Sequence, residues 1–91
     1  MAQRKRARLD IISDMLSALQ HSGGEMKPTH LMYKSNLSHV QMTSYLEELV
    51  GNEMVKKVKK KNYDYVIITD KGSEFFEKLK QMREFEKTFG L

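Results

Sequence analysis

The apolar residues of this 91-residue chain change their spacing twice. Up to Val50 they recur at helical intervals, from Val55 to Ile68 they follow an extended pattern, and from Phe75 onward the helical interval returns. The sequence therefore predicts three helices, a two-stranded hairpin and a final helix within one domain. Because a chain of this length buries only about two thirds of its unfolded surface, contact with a partner would add stability.

Residues with defined capping roles mark the ends of the predicted helices. The first helix covers residues 5–21 and stops at Ser22-Gly23-Gly24, where glycine tolerates the left-handed conformation. Pro28 begins a short second helix, because its fixed φ suits the first helical position. Ser38 is the predicted N-cap of the third helix, and Thr69 is that of the last one.

The basic residues are concentrated in two clusters. Residues 1–69 contain eleven Lys and Arg against seven Asp and Glu, whereas residues 70–91 contain five of each. Nine of the eleven cations lie in an amino-terminal arm and in the predicted hairpin. The arm contributes Arg4, Lys5, Arg6 and Arg8, and the hairpin contributes Lys56, Lys57, Lys59, Lys60 and Lys61, with Asn62 at its turn. This segregation favours a polyanionic partner.

Two structural explanations compete with phosphate binding by these clusters. Lysines can protect a sheet edge from aggregation, although five in six positions exceed that need, and the arm could be a solvated terminus. In the binding interpretation the hairpin lysines position the protein on phosphates, and the arm follows the backbone or enters a minor groove. Neutralising about six to eight phosphates per protomer gives a slope of roughly −5 to −7 in log affinity against log salt.

The first half of the third helix presents small polar and apolar side chains away from its buried stripe. On a helical wheel the outward and flanking residues are Ser38, His39, Val40, Gln41, Thr43 and Ser44. Amides and hydroxyls can bind base edges, and valine can contact a thymine methyl. Glu47 and Glu48 follow and limit how deeply the helix can lie in a groove. Without an arginine to read guanine, we expect weak readout or a preference for A·T-rich sites, the alternative being an ordinary solvated helix.

Other classes of function find little support. The three histidines are nine residues apart and share no helix face, so we expect no metal and no cofactor. Asp10 and Asp14 are expected to form ion pairs rather than an acid–base couple. We expect no enzyme, because no nucleophile elbow, phosphate-binding glycine loop or zinc motif occurs. Lack of cysteine and of a long apolar run predicts a cytoplasmic protein without a membrane partner. If the polyanionic partner is DNA, the protein is expected to be nucleoid-associated.

Residues 29–38, 45–50 and 65–72 resemble segments of a known family. In order they read THLMYKSNLS, YLEELV and YVIITDKG. Similar segments occur in small archaeal winged-helix DNA-binding proteins, a group that includes transcription regulators and dimeric chromatin-associated proteins. The similarity extends over about residues 7–82.

The resemblance implies a winged helix-turn-helix fold, mainly α with a β-hairpin, in the order α-α-α-β-β-α. In that family the third helix is the recognition helix, the hairpin is the wing, and the last helix pairs with that of a second copy. These roles fall on residues 38–44, 56–62 and 75–89. Glycine usually precedes the family's wing, but this chain has Glu53 there, so we expect Asn52 to adopt the left-handed cap.

The last helix supplies the predicted contact between two copies. A helix of about 20 residues is about 30 Å long, which is more than a three-helix core can cover. Its far end would expose an apolar stripe in a monomer, unless that end folds back or frays. We assign the dimer interface to Leu79, Met82, Phe85 and Phe89, and Glu86 favours a short interface over an extended coiled coil.

The sequence thus predicts a basic arm (1–8), a winged helix-turn-helix domain (9–69) and a C-terminal helix (70–91) that packs partly on the domain and partly on a partner. The expected function is homodimeric binding of double-stranded DNA, by a transcription regulator or a chromatin-associated protein. A winged-helix module that binds another protein instead of DNA is the main alternative, and double-stranded RNA binding is a third.

Overall fold

Four helices and a three-stranded antiparallel sheet make up the computed structural model, which describes residues 6–91. In chain order the elements are α1 (Arg8–His21), β1 (Glu25–Met26), α2 (Pro28–Lys34), α3 (His39–Gly51), β2 (Val55–Lys60), β3 (Tyr63–Ile68) and α4 (Asp70–Thr88). The predicted fold class, three helices followed by a hairpin and a long final helix, is confirmed. The short strand β1 between the first two helices was not predicted.

The strand β3 lies in the centre of the sheet, between β1 and β2. The added strand β1 contributes only Glu25 and Met26, which pair with Ile67 and Val66. Two residues are too few to produce a periodic pattern, which is why the sequence gives no sign of this strand. The strand β1 therefore pairs with β3 on the side opposite β2.

The hairpin between β2 and β3 turns at Lys61 and Asn62. Both residues have positive φ, 49° and 71°, as a two-residue type I′ turn requires. Asparagine adopts this conformation readily because its side chain can bond to the local backbone, whereas lysine gains no such compensation. The predicted location of the hairpin turn is confirmed.

The hydrophobic core lies between the helices and one face of the sheet. Met15 and Leu16 of α1 are fully buried, as are Leu49 of α3 and Val66 of β3. Burying side chains of this size contributes roughly 1.5 to 3 kcal/mol each. Leu9, by contrast, is 38% exposed. Because α1 begins only at Arg8, Leu9 lies in its first turn, at the edge of the core.

Each helix within residues 6–91 ends in a Schellman motif, in which the second residue past the cap donates its N–H to a carbonyl in the last turn. These bonds join Gly24 to Leu19, Leu37 to Met32, Met54 to Leu49, and Leu91 to Glu86. The motif needs a left-handed residue just past the cap. In α3 that residue is Glu53, with φ 62°, whereas Asn52 has φ −91°. The expected left-handed cap at Asn52 is therefore wrong, because α3 continues to Gly51 and shifts the position by one residue.

Within the described part of the chain, the helices are too short or too polar to cross a membrane. The same residues contain no cluster of histidine and carboxylate side chains that could hold a metal ion.

Candidate nucleic-acid interface

The front half of α3 is exposed along its outer side. Ser38 caps the helix: its Oγ accepts the Gln41 N–H at 3.1 Å, and Gln41 Oε1 accepts the Ser38 N–H at 3.1 Å. Thr43 donates its hydroxyl to the His39 carbonyl at 3.0 Å. All six predicted recognition residues are exposed, namely Ser38, His39, Val40, Gln41, Thr43 and Ser44. These two reciprocal bonds form a capping box, so the Gln41 amide is engaged at the start of α3. The sequence analysis missed this role, although Ser-x-x-Gln is the signature of a capping box.

The wing lysines divide between the two faces of the hairpin. Lys57 lies opposite Val66, which is fully buried. Because side chains alternate along a strand, Lys57 and Lys59 share the face that meets the core, here called the inner face. Lys56 and Lys60 lie on the other, outer face. These four wing lysines therefore lie on two opposite faces of the hairpin rather than on one.

Lys57 borders a concavity that it shares with α3. The lining of this concavity includes His39, Thr43 and Glu47 of α3 and Lys57 of β2. Lys57 and Lys59 also line an adjoining depression together with Leu46. The inner face of the wing and the front half of α3 thus lie on the same side of the molecule.

Arg8 borders α3 on its other flank. Its guanidinium pairs with the carboxylate of Glu48, which is only partly exposed. Around the helix, Glu48 and Thr43 are about 140° apart, with Val40 and Ser44 on the ridge between them. Cations therefore stand on both sides of this ridge, Lys57 beside Thr43 and Arg8 beside Glu48.

Arg6 is held at the turn between α2 and α3. Its guanidinium donates to the carbonyls of Ser35 at 2.8 Å and Asn36 at 2.7 Å, and it pairs with Asp14 at 2.9 Å. These carbonyls lie just past the end of α2, where a helix leaves backbone acceptors without partners. Arg6 thus stabilises the helix-turn-helix connection, a role that no local pattern indicated. Arg4 and Lys5, the other two predicted arm cations, lie outside the described residues.

Lys60 is engaged on the outer face of the wing. Its Nζ lies 2.8 Å from the carboxylate of Glu25 in β1, and 5.3 Å from the centre of the Tyr65 ring. The unpredicted strand β1 thus neutralises one of the predicted phosphate-binding lysines. Lys61 and Asn62 are exposed at the turn.

The helix α4 has one buried and one exposed apolar face. Phe76 and Leu79 are buried in their own chain, so Leu79, which the sequence analysis assigned to the dimer interface, packs within the domain. Met82, Phe85 and Phe89 are 46%, 59% and 65% exposed. They lie about 120° around the helix from the buried face. The rings of Phe85 and Phe89 contact each other, with centroids 4.8 Å apart.

Two polar contacts align α4 against α1. Arg83 pairs with Asp10 at 2.6 Å, and Ser73 donates to the Gln20 side chain at 3.2 Å. The two helices are therefore antiparallel, and the part of α4 after Arg83 extends past the start of α1. Asp10 and Asp14 form ion pairs as expected, but with Arg83 and Arg6 rather than within one helical turn.

The chain matches the model of the winged helix-turn-helix family over residues 5–87. It belongs to this family. In this winged helix-turn-helix protein α2 and α3 form the helix-turn-helix unit, and the hairpin of β2 and β3 is the wing. The predicted resemblance to winged-helix proteins is confirmed.

Solved structures of several proteins share the fold. Sso10a-2, a DNA-binding protein from Sulfolobus solfataricus, is 20% identical, with a TM-score of 0.71 over 93% of this chain and 90% of that one. F93 from STIV, a winged-helix DNA-binding protein, is 18% identical, with a TM-score of 0.75 over 92% of this chain and 95% of that one. The oxidized form of MarR from E. coli is 21% identical, with a TM-score of 0.71 over 87% of this chain and 62% of that one. No curated protein is significantly similar in sequence.

Proposed function

We propose that this protein is a homodimer that binds double-stranded DNA and acts as a transcription regulator or chromatin-associated protein. The observation that supports this most strongly is the concavity that Lys57 of the wing shares with His39 and Thr43 of α3. The similar folds of Sso10a-2 and F93, both described as DNA-binding proteins, add support.

In this proposal α3 enters the major groove with its amino-terminal half. A helix-turn-helix presents these residues to base edges, and the positive end of the helix favours a nearby phosphate. The small side chains of Val40 and Ser44 on the outer ridge permit close approach. Glu47 repels the backbone, so the helix lies with its front end deeper than its rear end.

Cations beside the ridge bind the phosphates that border the groove. On one flank Lys57 and Lys59 of the inner face act as point charges, which position the protein without reading sequence. On the other flank Arg8, which is 59% exposed in its pair with Glu48, contacts the backbone. Lys61 extends the contact at the wing turn. This arrangement fixes α3 between two phosphate strands.

A second copy of the chain covers the exposed face of α4. Met82, Phe85 and Phe89 form an exposed apolar stripe that begins beside Arg83, the partner of Asp10 near the start of α1, and continues to the end of α4. Residues 70–91 carry equal numbers of acidic and basic residues, so two such helices do not repel each other strongly. Pairing would present two recognition helices to two half-sites.

The two faces of the wing provide a matched test of the DNA-binding surface. Lys57→Gln with Lys59→Gln removes two charges from the inner face, and Lys56→Gln with Lys60→Gln removes two from the outer face. Affinity for a mixed-sequence duplex is measured against salt concentration. The inner-face variant should lower the steepness of the log–log slope by about 2 per protomer, because each phosphate contributes about 0.9. The outer-face variant should change it by less than half of that.

Equal effects of the two lysine pairs would contradict the inner-face assignment. If neither pair changes the slope, the wing does not bind phosphate.

A further inference from the structure

We propose that Val40 sets the sequence preference of α3 by contacting the 5-methyl group of a pyrimidine, which in ordinary DNA is thymine. The inference rests on the proposed insertion of α3 into the major groove. Val40 is 77% exposed, and it lies in the first turn of α3, the turn that reaches base edges in a helix-turn-helix.

Internal hydrogen bonds engage two polar neighbours of Val40, namely Gln41 and Thr43. The carbonyl oxygen of the Gln41 amide accepts the Ser38 N–H, so the two-point contact by which an amide recognises adenine is not free to form. The Thr43 hydroxyl hydrogen is directed to the His39 carbonyl. On the outer ridge this leaves Val40 and Ser44, and Val40 is the apolar one of the two.

The chemistry of the groove supplies one matching group. Among the edges that bases present in the major groove, the thymine 5-methyl is the apolar feature, and the others are hydrogen-bond donors and acceptors. Lys57 and Arg8 beside the ridge hold the duplex against the helix. Loss of one buried methyl contact should weaken binding about three- to fivefold.

Uracil provides an atom-level test, because it lacks only the methyl group of thymine. We compare two DNA duplexes, one of alternating adenine and thymine and one of alternating adenine and uracil, both with deoxyribose. Each is tested with the wild type, Val40→Ala and Val40→Ile. The wild type and Val40→Ile should bind the uracil duplex about three- to fivefold more weakly for each contacted methyl, whereas Val40→Ala should bind both equally. Val40 is exposed and alanine favours helices, so the alanine variant should fold, as circular dichroism will check.

A second pair of duplexes moves the methyl group to another base. Alternating hypoxanthine–cytosine is compared with alternating hypoxanthine–5-methylcytosine, which places the methyl at the same position in the groove. The wild type should prefer the methylated duplex by a similar factor, and Val40→Ala should not.

The outcomes separate this inference from the proposed function. Equal loss on uracil by the wild type and Val40→Ala would show that the methyl acts through duplex shape and would overturn the inference. Equal binding of the wild type to both duplexes, or no gain from 5-methylcytosine, would also overturn it while leaving DNA binding intact. Failure to bind any duplex would reject the proposed function together with it.

Discussion

Glu53 adopts a backbone φ of 62°, a conformation that costs an L-residue about 1 to 2 kcal/mol. Its N–H donates to the Val50 carbonyl at 3.0 Å, and its own carbonyl accepts the Thr69 hydroxyl at 2.6 Å. These bonds join the end of α3 to the cap of α4. Glu53 therefore connects α3, the start of the wing and α4 at some cost in backbone strain.

Replacing Glu53 by glycine should stabilise the protein. Glycine adopts positive φ without strain but loses more entropy on folding, so the net gain in the free energy of unfolding should be about 0.5 to 1 kcal/mol. Urea denaturation measures it. The matched control is the adjacent Asn52→Gly, where φ is −91° and the side chain donates to the Glu48 carbonyl, and which should be destabilising. A loss of stability in Glu53→Gly would contradict the left-handed assignment.

At this scale the sequence predicts roles that depend on near neighbours and misses those that depend on distant ones. The N-caps Ser38 and Thr69 were predicted because their signals lie within four residues. The left-handed residue was placed one position too early, because the last residue of a helix is uncertain by one or two positions. The contacts of Arg6 with Ser35 and Asn36, some 30 residues away, leave no local pattern.

Among the elements, α4 closely approaches the loop between α3 and β2 at Gly72. A side-chain carbon added to Gly72 would lie 2.1 Å from the Met54 carbonyl oxygen and 2.9 Å from Ile68 Cγ1. The same carbonyl accepts the Thr69 N–H at 3.0 Å. The start of α4 thus depends on the absence of a side chain at this position.

Gly72→Ala should destabilise the protein by about 1 to 3 kcal/mol, because the backbone must shift to relieve the overlap. Gly51→Ala is the control: Gly51 is in α3 with nothing within 4 Å of an added carbon, and alanine there should be neutral or stabilising by up to about 1 kcal/mol. Urea denaturation compares the two. If both substitutions have the same effect, α4 does not approach Met54 as described.

The helices and the hairpin could be predicted from the sequence, but the contacts between these elements could not. The hairpin was predicted from spacing, and strand alternation alone could have divided Lys57 and Lys59 from Lys56 and Lys60. The engagement of Lys60 by Glu25 could not be predicted, because it depends on β1, a strand of two residues.

For the whole molecule, the proposed pairing of two copies depends on the exposed stripe of α4. Phe85→Ser with Phe89→Ser should convert the dimer to monomers in light scattering, because each buried phenylalanine contributes roughly 1.5 to 3 kcal/mol. Tyr33→Ser is the control, because it removes an aromatic ring that is also exposed, at 71%, but lies in α2. This variant should leave the dimer intact. A dimer that persists in the double variant would contradict this interface.

The arrangement of charge over the whole molecule could be predicted only in part. Two basic clusters are evident in the sequence, but the positions of Arg8 and Lys57 on either flank of α3 follow from tertiary packing. That packing places Arg8 beside Glu48 and Lys57 beside Thr43. It also engages Arg6 and Lys60 internally, which lowers the expected number of phosphate contacts to about five per protomer, each contributing about −0.9 to the salt slope.

The most direct test of the proposed DNA binding is the affinity of the wild-type protein for a mixed-sequence DNA duplex across a range of salt concentrations. We expect log affinity to fall with log salt at a slope of roughly −4 to −5 per protomer, and an RNA duplex to compete poorly. Affinity that remains millimolar or weaker at low salt, or that does not change with salt, would contradict DNA binding and favour a winged-helix module that binds another protein.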